Sequence, residues 1–168
     1  MSLKTFTIIG SGNVATHIGK ALQRGGYIIN GVFSHTLANA KQLAAALHCP
    51  ATDSIGDVPE ADAFLFSVKD SALPSLASEI VKRFGKTPTY IHTAGCIPVS
   101  IFGGGAKRQA VIYPLQTLSK QREIDFRSVP LFIEANNAET LASVREVSET
   151  LSGIFCVYTS DAADELCF

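Results

Sequence analysis

Short, nearly unbroken apolar runs alternate along this chain with longer stretches whose apolar residues recur every three or four positions, which predicts strands threaded through helices. The first run, Phe6 to Ile9, is followed by Val14, Ile18, Ala21 and Leu22 on one helical stripe, closed by Gly25-Gly26. A second strand, Tyr27 to Phe33, leads to a helix that buries Leu37, Ala40, Ala44 and Leu47 and ends at Cys49-Pro50. Asp62 to Val68 is apolar almost throughout, as in a strand covered on both faces of a parallel sheet. Asp70 is the expected N-cap of the next helix, with Pro74 in its first turn and Leu73, Ala77, Ile80 and Phe84 on its buried stripe.

Four further strands are predicted: Thr89 to His92, Ala110 to Tyr113, Pro130 to Ala135 and Ile154 to Tyr158. A short turn at Pro98 to Phe102 precedes Gly103-Gly104-Gly105, which lacks the following Lys-Ser/Thr of a P-loop and reads as a connection. Ser119 to Ser128 is charged and aperiodic, the pattern of a surface loop that overhangs a cleft. In the last unit Asn136 and Glu139 form an expected capping box, Leu141, Val144, Ser148 and Leu151 trace the helix face, and Gly153 ends it. Strands alternating with helices across nearly the whole chain predict one α/β domain with a doubly wound sheet of about eight strands.

Composition narrows the partners. The 168 residues suit one domain, and 46% hydrophobic residues with a mean hydropathy of +0.22 can fill a core on both faces of a sheet. Fourteen Lys+Arg nearly balance fifteen Asp+Glu with no basic cluster, so a small molecule is expected as partner, not nucleic acid or an anionic membrane. No apolar stretch reaches the length of a membrane span, and Met1-Ser2-Leu3-Lys4 runs straight into a strand, so a cytoplasmic location is expected. Cys49, Cys96, Cys156 and Cys167 are scattered without metal-ligand spacing; no metal site is expected, and the thiols read as buried or idle.

The chemistry starts at Gly10-Ser11-Gly12-Asn13-Val14-Ala15. After a strand and before a helix, this spacing is that of a dinucleotide-binding turn. Gly10 permits the turn, Gly12 admits a pyrophosphate, Ala15 lets the helix pack closely, and the helix N-terminus faces the phosphates. An acid about 20 residues further on would accept from a ribose 2′-OH; this chain has Ser34-His35-Thr36 instead, which can donate to a 2′-phosphate and favours NADP. Lys69, His92, Thr93, Gln116 and Thr117 fall at strand ends, where open α/β sheets hold ligands. Of these His92 is the candidate proton carrier, with strand capping as the structural alternative. His17, inside the first helix, reads as a helix-surface or packing residue and not a ligand.

Together, Gly10-Ser-Gly-Asn-Val-Ala, Ser67-Val-Lys-Asp, His92-Thr-Ala-Gly and Tyr113-Pro-Leu-Gln-Thr resemble the N-terminal Rossmann-like domain of NADP-dependent oxidoreductases related to pyrroline-5-carboxylate reductase. The resemblance covers roughly residues 3 to 158 and points to a bacterial branch in which a helical domain follows. It implies that Gly10, Gly12, Asn13 and Val14 line the pyrophosphate and that Ser34, His35 and Thr36 surround the adenosine ribose, where relatives often carry Arg at the position of His35. It further implies that Ser67, Val68 and Lys69 lie beside the nicotinamide-side ribose, with His92, Thr93 and Ala94 nearer the ring. In such reductases the helical domain dimerises and supplies much of the substrate pocket. Residues 1–160 are then expected to form the NAD(P)-binding domain, with 161–168 a tail at the start of a helical domain absent from this sequence.

Three functions compete. The first is an oxidoreductase that moves a hydride to or from a small carbonyl or imine. The second is a dinucleotide-binding module or sensor that acts only with a partner domain. The third, methyl transfer from S-adenosylmethionine, also uses a glycine turn but calls for an acid where this chain has Ser34.

Overall fold

The structure is a computed structural model and describes residues 2–158. Among them, eight strands form one sheet: β1 (Thr5–Ile9), β2 (Ile28–Phe33), β3 (Ala51–Thr52), β4 (Ala63–Phe66), β5 (Thr89–His92), β6 (Arg108–Pro114), β7 (Leu131–Ala135) and β8 (Phe155–Tyr158). The helices are α1 (Asn13–Arg24), α2 (Leu37–Leu47), α3 (Leu73–Phe84) and α4 (Ala138–Leu151). The strand order is β3-β2-β1-β4-β5-β6-β7-β8, and every neighbouring pair is parallel except β6 and β7. This is the expected doubly wound, mostly parallel Rossmann-like fold. The winding reverses between β1 and β4, and a crevice opens beyond their carboxyl ends.

Alternate strand residues feed two cores. Ile8, Leu65 and Ile91 pack with Ile18 of α1, Leu43 of α2 and Val144 of α4. On the other face Ile9, Phe64, Phe66 and Tyr90 pack with Leu73, Leu76 and Ile80 of α3 and with Phe102. All four residues of β4 are buried, which is why that strand reads as a continuous apolar run. Each such side chain contributes roughly 1.5–3 kcal/mol on burial, so the centre of the sheet is the most resistant part of the fold.

Several local expectations are corrected. α3 starts after Ala72 with no side-chain cap, so Asp70 is not its N-cap. The α4 cap falls one residue later than expected: Asn137 Oδ1 accepts the Thr140 N–H at 2.8 Å, while Asn136 Oδ1 accepts the Gln109 N–H at 3.0 Å and ties the helix entry to β6. β3 has only two residues and no apolar run to announce it. Gln116 and Thr117 are exposed beyond the end of β6. The segment after β6 is fastened to α1, with Ser119 O 2.7 Å from His17 Nε2 and the Lys120 N–H donating to Asn13 Oδ1 at 3.2 Å. Buried His17 is thus a packing residue with one polar contact. Half-buried Cys49 and exposed Cys96 are free thiols. Among the described residues no helix is long and apolar enough to cross a membrane. The tail expected at 161–168 lies outside the described residues.

Candidate functional site

At the carboxyl edge the parallel ladder runs one residue past each central strand. The Gly10 N–H donates to Phe33 O at 2.8 Å, Ser67 to Ile9 O at 2.8 Å, Thr93 to Phe66 O at 3.1 Å and Ser34 to Thr52 O at 3.1 Å. Four crossover turns therefore leave the sheet from fixed positions. Gly10 has φ +120°, and a Cβ on it would lie 2.7 Å from the Ser67 carbonyl carbon and nearer still to its oxygen. The turns after β1 and β4 are thus packed backbone to backbone, and no side chain fits between them.

Gly12 is glycine for a different reason. It caps α1 at φ −80°, ψ −162°, an extended conformation open to any residue, and a Cβ there would meet nothing within 4 Å. The fold does not need glycine at this position. The space in front of α1 stays clear only because glycine is there. No side chain caps α1 and no acid stands in its first turn, so the N–H groups of that turn face the opening with the positive end of the helix dipole behind them.

These turns enclose a cleft of about 800 Å³. Gly10, Ser11, Gly12, Asn13 and Val14 line it from the turn after β1, Phe33, Ser34, His35, Thr36 and Asn39 from the β2 side, and Ser67, Val68, Lys69, Asp70 and Ala72 from the turn after β4. Thr93, Ala94, Gly95 and Cys96 follow β5, and Tyr113 comes from β6. Every candidate cofactor residue of the sequence thus lies on one cavity. Gly95 lies on the cleft with the rest of its turn, whereas Ser11, Phe33, Asn39, Asp70, Ala72, Cys96 and Tyr113 were not anticipated as lining residues. Asn39 sits three residues past the N-cap Thr36, and Cys96 directly follows Thr93-Ala94-Gly95, so spacing alone carried that signal. On the β2 side the Ser11 hydroxyl donates to Ser34 Oγ at 2.9 Å, and the His35 ring stands edge-on to Phe33 at 5.5 Å.

His92 does not reach this cleft. It is fully buried, its ring 5.9 Å from that of Phe102, with Nδ1 accepting the Ala94 N–H at 3.1 Å and Nε2 placed 3.2 Å from Pro98 O. Because Nδ1 accepts, Nε2 carries the proton and donates to Pro98. Burial lowers the His92 pKa from its ordinary value, against smaller opposing contributions from Pro98 and Asp70, so the ring stays neutral. The geometry gives His92 the strand-capping role and removes it as the proton carrier at the cleft. Among the described residues no group of three or more His, Cys, Asp or Glu gathers as a metal site.

A doubly wound sheet with a glycine turn, an open helix N-terminus and a cleft at the reversal point defines the class of Rossmann-like proteins. The Rossmann-like domain profile matches residues 2–117, and the chain belongs to that family. No curated protein matches the sequence. Among solved structures, a candidate NADP oxidoreductase from Bacteroides fragilis is 37% identical, with a TM-score of 0.88 over 94% of this chain and 61% of its own. Two more distant structures share the fold. Pyrroline-5-carboxylate reductase from Coxiella burnetii has 18% identity and a TM-score of 0.77 over 95% of this chain and 60% of its own. Prephenate dehydrogenase from A. aeolicus, in complex with hydroxyphenyl propionate and NAD+, has 15% identity and a TM-score of 0.77 over 96% of this chain and 62% of its own. The chain spans about six-tenths of the length of these structures.

Proposed function

We propose that this chain is the NADP(H)-binding domain of an oxidoreductase that moves a hydride to or from a small carbonyl or imine, within the pyrroline-5-carboxylate reductase-like group. The observation that carries the reading is Gly12: glycine stands where the fold tolerates any side chain, in front of an uncapped, acid-free helix N-terminus that opens on the cleft. That cradle fits a pyrophosphate, because a Cβ would fill the space and the first-turn N–H groups supply donors. The likeness to the Bacteroides fragilis protein supports the choice of NADP.

Gly10, Gly12, Asn13 and Val14 hold the pyrophosphate, Ser34, His35 and Thr36 the adenosine ribose, and Ser67, Val68, Lys69, Thr93 and Ala94 the nicotinamide half. When bound, the dinucleotide supplies the hydride. The protein's own part is orientation and exclusion of water: Val14, Val68 and Ala94 give the cleft apolar surface, and the Ser11–Ser34 bond fixes the two turns that flank it. Positioning of reactants accounts for about 7–11 kcal/mol of a barrier in well-oriented cases, and substrate must be held from both sides to gain it. A helical domain, which also dimerises, closes the open side in the full enzyme, and the protein works in the cytoplasm. A second reading, a binding module without turnover of its own, is favoured by His92: the residue best suited to carry a proton is turned into the core. The test is calorimetric titration of NADPH into the wild-type chain and into Gly12→Val. Binding by the first and none by a folded second supports the assignment, and no binding to the wild type removes it.

A further inference from the structure

A smaller cavity of about 150 Å³ lies in the groove between α1 and α2, lined by Ser11, Thr16, Lys20, Asn39, Gln42 and Lys120 among others. Ser11 and Asn39 line both this cavity and the main cleft, so the two are neighbours that share a wall on the β2 side. Its volume falls below the roughly 300–1,000 Å³ of sites that enclose a whole small molecule. Its chemistry is one-sided, with two ammonium groups, two amides, two hydroxyls and no carboxylate in the wall.

Three observations mark it as a site for an anion. First, the 52 residues that build β1, α1, β2, α2 and β3 contain four Lys+Arg and no Asp or Glu; the first acid of the chain is Asp53. Second, neither lysine is in an ion pair among the described residues; Lys20 also lines a second hollow together with Glu123 and Asp125 and pairs with neither. Third, Lys120 comes from beyond β6 and is held against α1 through the peptide that precedes it, its N–H on Asn13 Oδ1 and the Ser119 carbonyl against His17 Nε2.

We infer that this groove receives the 2′-phosphate of NADP(H), with Lys20 and Lys120 as the residues that discriminate it from NAD(H). The inference rests on the proposed dinucleotide reading and deepens it. The phosphate monoester enters from Ser34 past the Ser11 hydroxyl, Lys20 and Lys120 neutralise it as point charges, and Asn39 and Gln42 donate from α2. His35 then need not carry the discrimination that an arginine provides in relatives.

Dissociation constants for NADPH and NADH are to be measured on the wild-type chain, on Lys20→Met, Lys120→Met and the double variant, and on the Lys→Arg replacements, with circular dichroism melts to establish folding. The expected result is a loss of NADPH affinity of about tenfold or more for each removed ammonium, from the strength of charge-assisted bonds, with NADH affinity unchanged and the arginine variants close to wild type. Inorganic phosphate should compete with NADPH and not with NADH, which separates the monoester from the shared pyrophosphate. Equal weakening of both nucleotides overturns the inference in favour of a pyrophosphate contact. No change in either places all discrimination on Ser34-His35-Thr36 and also overturns it. A wild-type chain that binds neither nucleotide removes the parent reading, and this one with it.

Discussion

Two glycines separated by one residue should fail in opposite ways. In Gly10→Ala the new methyl is forced onto the Ser67 carbonyl at a φ of +120° that side chains rarely adopt. Strain of about 1–3 kcal/mol for the backbone and a further 1–3 for overpacking add to about 2–6 kcal/mol, a large share of the 5–15 that holds an ordinary domain together. In Gly12→Val the side chain meets nothing within 4 Å at an allowed conformation, and the cost is that of a poorer helix N-cap, about 0.5–1.5 kcal/mol. For a chain of this size each kcal/mol moves the midpoint by about 2–4 °C. Thermal melts with and without NADPH separate the cases. At a hundredfold excess over Kd the ligand adds about 2.7 kcal/mol, or roughly 5–11 °C, to the wild type. Gly12→Val should melt within about 1–6 °C of the wild type and show no ligand shift, while Gly10→Ala should melt far lower. A wild-type-sized NADPH shift in Gly12→Val, or an unimpaired Gly10→Ala, refutes the reasoning.

Three further outcomes are expected. Because burial holds the folded His92 pKa below its ordinary 6.5, its contribution to stability is complete above about that pH and is lost as pH falls through the lower folded value; urea midpoints taken from pH 8 to 5 should decline less in His92→Phe than in the wild type, and parallel curves would contradict the assignment. Replacing His35 by Ala should narrow the NADPH preference by less than tenfold, since the ring is exposed and edge-on to Phe33, and calorimetry showing complete loss of the preference would refute this. The chain alone should bind NADPH yet oxidise it only at background rates with a panel of small imines and ketones, and robust loss of NADPH absorbance would show that the cleft already positions a substrate.

The sheet was legible because burial on both faces leaves little choice of residue: Ala63 to Phe66 could hardly be anything but a central strand. Gly10 was legible for the same reason in reverse, as a place where a side chain is excluded, and Gly12 by its spacing from it, although the fold leaves room for a side chain there. β3 was not, since its two residues are placed by hydrogen bonds from Val32 to Pro50 O and from Ser34 to Thr52 O and carry no pattern of their own. The cap after β4 was misplaced because Lys69 O accepts from both Ala72 and Leu73, inserting an extra turn ahead of the helix that no side chain announces. His92 was misdirected by its position at a strand end; strand parity puts it on the face of Tyr90, toward Phe102 and away from the cleft. The site of Lys120 depends on a contact with Asn13 across 107 positions, which no local window can see.

The central claim is that a pyrophosphate seats on the N-terminus of α1 between the turns after β1 and β4. An amide-resolved NMR titration with NADPH tests it most directly. The account predicts that the largest shifts fall on the N–H groups of Gly12, Asn13, Val14 and Ser67, with smaller ones at Ser34 to Thr36 and none along β7 and β8. Saturating NADPH that leaves the Gly12 to Val14 amides unmoved, or that shifts residues elsewhere instead, would contradict it.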